Sequence, residues 1–96
     1  MANTTNGNPK FGYEAGVLVS GPAKLKAIYW GSDQTAGADI AADDDVLFSD
    51  ANGNRIWGKR AEFAGDGDYV PFPDGLQVNG LTVTTIDGGY FYVYLY

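Results

Sequence analysis

The sequence predicts an all-β fold: a single β-sandwich, or barrel-like, domain of about seven antiparallel strands behind a flexible N-terminal arm. Three observations predict it. Fourteen glycines and ten aspartates punctuate the chain every few residues, and both residue types close turns, glycine through positive φ and aspartate through its own side chain. Between these signals lie short β-branched and aromatic runs at spacings of roughly 8–12 residues, the rhythm of a sandwich or barrel. Good helix formers rarely run together, so few windows could carry an amphipathic helix. Ninety-six residues hold one domain, read as residues 12–96 behind an arm at 1–11.

Residues 1–11 are rich in Asn, Thr and Gly and bury little, which makes them the arm. A first strand is expected at 13–20, with Val17 and Val19 on one face. Gly21-Pro22 then interrupts the ladder, because proline cannot donate to it. The next strand, 23–30, sets Leu25, Ala27 and Tyr29 on one face and Lys24, Lys26, Ile28 and Trp30 on the other. Residues 31–45 are irregular, and three consecutive aspartates at 43–45 read as loop.

Strands at 46–50 and 55–63 flank Asn52-Gly53, a strong hairpin signal. Gly65–Asp68 is another turn, leading to a strand at 69–72 and a Phe72-Pro73-Asp74-Gly75 turn. Residues 76–86 are strand-like, but Leu76 and Val78 share one parity while Leu81 and Val83 share the other. A bulge or tight turn at Asn79-Gly80 produces such a switch. In 90–96 the alternation is unbroken: Phe91, Val93 and Leu95 form one face, read as core, and Tyr90, Tyr92, Tyr94 and Tyr96 the other.

Composition removes most catalytic chemistry. Without histidine or cysteine there is no Ser–His–Asp triad, no thiolate nucleophile and no histidine- or thiolate-bound zinc. The glutamates are Glu14 and Glu62 alone, and no aspartic-protease signature occurs. Asp50-x-Asn52-x-Asn54 starts like a calcium loop, but Arg55 stands where glycine is needed and Ala61 where the bidentate glutamate belongs. The sequence therefore implies no enzyme, no cofactor and no metal. A net charge of −6 repels phosphate and argues against nucleic acid. The longest apolar stretch, 90–96, falls far short of a spanning helix, and the polar start lacks a signal peptide's apolar run. The expectation is a chain made in a cytoplasm with no membrane partner.

What the composition holds instead is 14 aromatics, half of them tyrosine. Tyrosine and tryptophan concentrate at binding hot spots, so Tyr90, Tyr92, Tyr94 and Tyr96, with Trp30, are the candidate protein interface. Asn8, Pro9, Lys10 and Phe11 are the candidate arm contacts. A rival use of the aromatics is a sugar-stacking platform that includes Trp30 or Trp57.

Residues 25–29 (Leu-Lys-Ala-Ile-Tyr), 52–59 (Asn-Gly-Asn-Arg-Ile-Trp-Gly-Lys), 72–84 (Phe-Pro-Asp-Gly-Leu-Gln-Val-Asn-Gly-Leu-Thr-Val-Thr) and the closing Tyr-Val-Tyr resemble short stand-alone proteins of tailed-phage structural gene modules. The resemblance spans residues 15–96. It implies a virion component, a capsid decoration or cement protein, with the major capsid protein and further copies of itself, as trimer or dimer, for partners. A tail or neck component belongs to the same class. A carbohydrate-binding or host-recognition module is the alternative.

Overall fold

The computed structural model describes residues 7–32 and 39–96. The described residues are all-β and form one antiparallel sheet of six strands. They are β1 (Lys10–Gly12), β2 (Gly16–Gly31), β3 (Asp45–Ser49), β4 (Arg55–Arg60), β5 (Asp68–Ile86) and β6 (Tyr90–Leu95). Their spatial order is β1-β6-β2-β5-β3-β4. The expected arm residues 1–6 and part of the expected loop at 31–45 lie outside the described residues.

Six strands replace the expected seven for two reasons. The pairs read as separate at Gly21-Pro22 and at residues 72–75 are continuous strands with bulges, and one short strand was not foreseen. Across the first break, Val19 pairs with Leu81 and Pro22 with Asn79, so β2 carries one extra residue and Pro22 needs no strand end. Across the second, Leu25 pairs with Leu76 and Ala27 with Pro71. The Phe72–Gly75 segment is thus looped out of β5, with Gly75 at φ 75° closing the excursion.

These bulges bend the sheet onto itself. A straight 19-residue strand is about 63 Å long, yet the molecule's longest extent is 33 Å. In a flat sheet β6 and β3 lie about 14 Å apart, but the rings of Phe91 and Phe48 meet edge to face at 5.6 Å. One half of the sheet therefore covers the other, and their inner faces enclose the core. Leu18, Leu25, Ile28, Trp30, Phe48, Leu81, Val83, Phe91 and Val93 all belong to it. Phe91 and Val93 lie inside as expected and Leu95 packs partly buried at the margin.

In β2 the inward set changes parity from Leu25 to Ile28 and Trp30. The cause is an extra residue at Lys26: Leu25 pairs with Leu95 but Ala27 with Tyr94. Ala27 and Tyr29 are thereby turned to the outer face, contrary to the unbroken alternation read for 23–30. The early part of β2 differs likewise, since Leu18 is buried and Val17 is 61% exposed.

The 50–54 hairpin forms as the Asn-Gly signal predicts. Asp50 Oδ1 accepts the Asn52 and Asn54 amides at 2.9 and 2.8 Å, and Gly53 takes φ 83°. Those amides hold the Asp50 carboxyl below its ordinary pKa. The Arg60 guanidinium, bonded at 2.9 and 3.1 Å, does the same for Asp45, and the Glu62 amide, with Lys59, for Asp66. A carboxyl depressed by folding contributes stability that is complete above its unfolded pKa and is lost as pH falls through the folded value. Melting temperature should therefore hold steady above about pH 5 and fall progressively below about pH 4. An Asp50→Asn variant should show a shallower fall in the same titration.

Candidate functional site

The outer face of the β1-β6-β2-β5 portion carries the most distinctive surface among the described residues. Directly paired residues of antiparallel strands project to the same face. Phe11 pairs with Tyr92, Tyr92 with Tyr29, and Tyr29 with Tyr69. One lateral row of four aromatics thus crosses four strands, about 14 Å wide. It intersects the tyrosine stripe of β6 at Tyr92, so the two form a cross.

The rings touch. Phe11 lies 4.7 Å from Tyr92 and 5.1 Å from Tyr13 between centroids. Tyr29 lies 5.8 Å from Tyr90 and 6.4 Å from Tyr92, and Tyr92 stacks on Tyr94 at 6.1 Å. Spacings of 4.5–7 Å are those of attractive aromatic pairs, so the face is held in shape by its own contacts. Ala27 is 2% exposed although it faces outward. On the sheet it is flanked by its strand partners Tyr94 and Pro71. At Gly31 an added Cβ would strike the Tyr29 ring, so glycine there lets the tyrosine fold over the strand end.

The predicted interface tyrosines are brought together, with differing exposure. Tyr90, Tyr92 and Tyr94 are half-buried by one another. Tyr96 is 61% exposed, donates its hydroxyl to the Pro73 carbonyl at 3.0 Å and lies under the ammonium groups of Lys24 and Lys26 at 5.4 and 5.7 Å. Trp30 must be taken out of the interface. It is 0% exposed on the inner face, in the row Gly12–Phe91–Trp30–Asp68, and its indole donates to the Gly88 carbonyl at 2.9 Å. The bulge at Lys26 put it there. Trp57, half-buried beside Phe48 at 6.1 Å, gives no open platform either.

Asn8, Pro9, Lys10 and Phe11 lie along β6 of their own chain. The Asn8 side chain donates to the Leu95 carbonyl at 2.8 Å and accepts its amide at 3.0 Å, which extends the ladder beyond Lys10 and Val93. Residues 7–11 thus do not behave as the free arm expected of them, because β6 offers an unpaired edge and Phe11 has aromatic rings to cover.

Sequence reasoning missed Tyr13, Tyr29 and Tyr69 as members of this surface and read Phe11 only as an arm contact. No local signal marks them, since the row exists only through registers between distant strands. Tyr69, 57% exposed, also borders an open cleft of about 540 Å³ lined by Tyr29, Ser32, Gly65, Gly67 and Asp68.

The aspartates do structural work. Asp44 accepts the Ala41 amide at 2.8 Å and Asp87 the Asp45 amide at 2.9 Å. Among the described residues no three acidic side chains are grouped to hold a metal ion.

No family model and no curated protein matches the chain. Among solved structures, a Streptococcus pneumoniae fucose-binding module, SpX-3, matches with a TM-score of 0.52 and 14% sequence identity, over 98% of this chain and 71% of that one. At that identity the likeness speaks for the β-rich fold alone.

Proposed function

We propose that the chain is a non-enzymatic structural protein of a phage virion, a capsid decoration protein that stabilises the shell by surface contact. The observation that carries this reading is the cross of aromatics on the outer sheet face. An isolated domain of this kind needs one buried sheet face, and a second face clad in half-buried rings is the composition of a contact surface. The resemblance at residues 25–29, 52–59 and 72–84 supplies the setting, with the major capsid protein and copies of the chain itself as partners. A chain without histidine or cysteine suits a role with no chemistry to perform.

The test is co-sedimentation with empty shells. Tyr92→Ser combined with Tyr94→Ser should weaken binding at least tenfold, since each truncation at a hot spot costs about 2 kcal/mol or more. Binding that survives unchanged in a folded double variant rejects the reading.

A second reading, a carbohydrate-binding module, is favoured by the cleft beside Tyr69. A sugar ring stacked on the exposed phenol would present hydroxyls to Asp68 and Ser32, and the fold likeness to a fucose-binding module points the same way. Binding on a glycan array, abolished by Tyr69→Ala with the Tyr92/Tyr94 variant unaffected, would replace the first reading by this one.

A further inference from the structure

At its Tyr96 end the outer aromatic face is fringed by two cations that have no carboxylate of their own. Leu25 is buried in the core, so Lys24 before it projects to the outer face. Its aliphatic stem lies over Gly75, where an added Cβ would strike it. The Tyr96 amide donates to the Lys24 carbonyl at 3.0 Å, which sets the last ring beside that lysine. The Lys24 and Lys26 ammonium groups lie 5.4 and 5.7 Å from the centroid of this one ring, whose hydroxyl is tied to Pro73. With 12 acidic residues for 6 basic ones, a carboxylate is rarely far from a lysine or arginine, and Lys59 and Arg60 each have one. Among the described residues, Lys24 and Lys26 form no ion pair.

We propose that this end of the face takes a carboxylate-rich segment of a partner protein, with Lys24 and Lys26 holding the carboxylates and Tyr94 and Tyr96 packing beside them. The inference rests on reading the face as a contact surface and names the chemistry of what it meets. Charge complementarity selects the occupant. Two uncompensated cations stand together on a chain of net charge −6, and one ring already holds both near it. Stems ordered before contact lower what binding costs. A nucleic acid or an anionic membrane spreads its charge widely and meets the repulsion of the whole chain, whereas a short acidic segment touches the lysines alone. Charges at the rim of an aromatic contact act mainly on orientation, association rate and salt dependence. The aromatic cross therefore supplies the adhesion, and the lysine pair decides which surface it adheres to.

Titration of the isotope-labelled full chain with an oligoglutamate peptide at low ionic strength, followed by NMR, tests this. Amide shifts should concentrate at residues 24–26 and 94–96 and fade with added salt. Lys24→Gln with Lys26→Gln should lose them while keeping a dispersed, folded spectrum, and Lys24→Arg with Lys26→Arg should retain them. Arg55→Glu on β4 changes the net charge by the same amount as the glutamine pair and should respond like the wild type. Shifts that are scattered or absent overturn the proposal, as does an equal loss in Arg55→Glu. Stronger shifts with polygalacturonate would give the patch to acidic sugars, and the same shifts on concentrating the chain alone would give it to a second copy; either result overturns the proposal. Shell co-sedimentation separates this inference from the reading it rests on. The glutamine pair should weaken shell binding about three- to tenfold, the worth of two exposed ion pairs. Shells bound through Tyr92 and Tyr94 with no loss in that variant overturn the inference and leave the virion role standing. A chain that takes oligoglutamate through its lysines yet ignores shells supports the inference and sinks the virion role.

Discussion

Trp30→Ala is expected to lower the melting temperature by about 15–30 °C, followed by far-UV circular dichroism. Emptying a buried tryptophan site costs about 3–5 kcal/mol. A domain of about 100 residues loses about 4–8 °C per kcal/mol, and its whole stability is about 5–15 kcal/mol. The variant is thus expected to be partly unfolded at 37 °C. The reason is position as much as size. Trp30 lies in the core beside Phe91 in the same lateral row, and its indole ties β2 to the 87–89 turn through Gly88. Trp30→Phe separates the two contributions. It retains most of the ring and leaves the Gly88 carbonyl without its donor, at a cost of about 1–3 kcal/mol. If Trp30→Ala melts within 5 °C or so of the wild type, the indole is not the keystone that its burial indicates.

That residue also shows where sequence reading stops. Alternation along 23–30 puts Trp30 with Lys24 and Lys26, and with that company it reads as surface. One extra residue at Lys26, visible only in the pairing of Leu25 with Leu95 and Ala27 with Tyr94, exchanges the faces. A slip of one residue turns every later side chain over, and the residues carrying it are ordinary strand formers. Gly21-Pro22 and Phe72–Gly75 mislead in the opposite way. Their turn signals are real, but a long partner strand runs past them and absorbs them as bulges.

Where the determinants are local, the sequence is legible. Asn52-Gly53 closes its hairpin because positive φ and the Asp50 carboxyl lie within five residues of each other. The stripe from Tyr90 to Tyr94 keeps its outward parity because β6 has no internal bulge. The candidate site is half legible for the same reason. Its long arm lies within one strand, but its cross-arm, Phe11–Tyr92–Tyr29–Tyr69, joins residues up to 81 positions apart in the chain. Nothing short of strand order reveals it.

The 87–89 turn carries the second large effect. Gly89→Ala is expected to cost about 2–5 kcal/mol, a fall of about 10–30 °C in melting temperature. Two causes combine. Gly89 holds φ 80°, where an L side chain is strained by about 1–2 kcal/mol. A Cβ there would also come within 2.6 Å of the Gly31 carbonyl oxygen and of Ile40 Cγ1, and 2.9 Å of Trp30 Nε1. Overpacking against backbone and core costs about 1–3 kcal/mol more. Gly53 separates the causes, since it has nearly the same φ, 83°, and nothing within 4 Å of an added Cβ. Gly53→Ala should therefore show the conformational cost alone, about 1–2 kcal/mol, and the difference between the two variants measures how tightly the turn is pressed onto Trp30. Equal melting temperatures would mean that the turn yields, and that the Trp30–Gly88 bond holds β2 to β6 through a flexible tether. A large difference means that the same tight turn fixes the core beneath β6 and the start of the tyrosine stripe, because Tyr90 follows Gly89 directly.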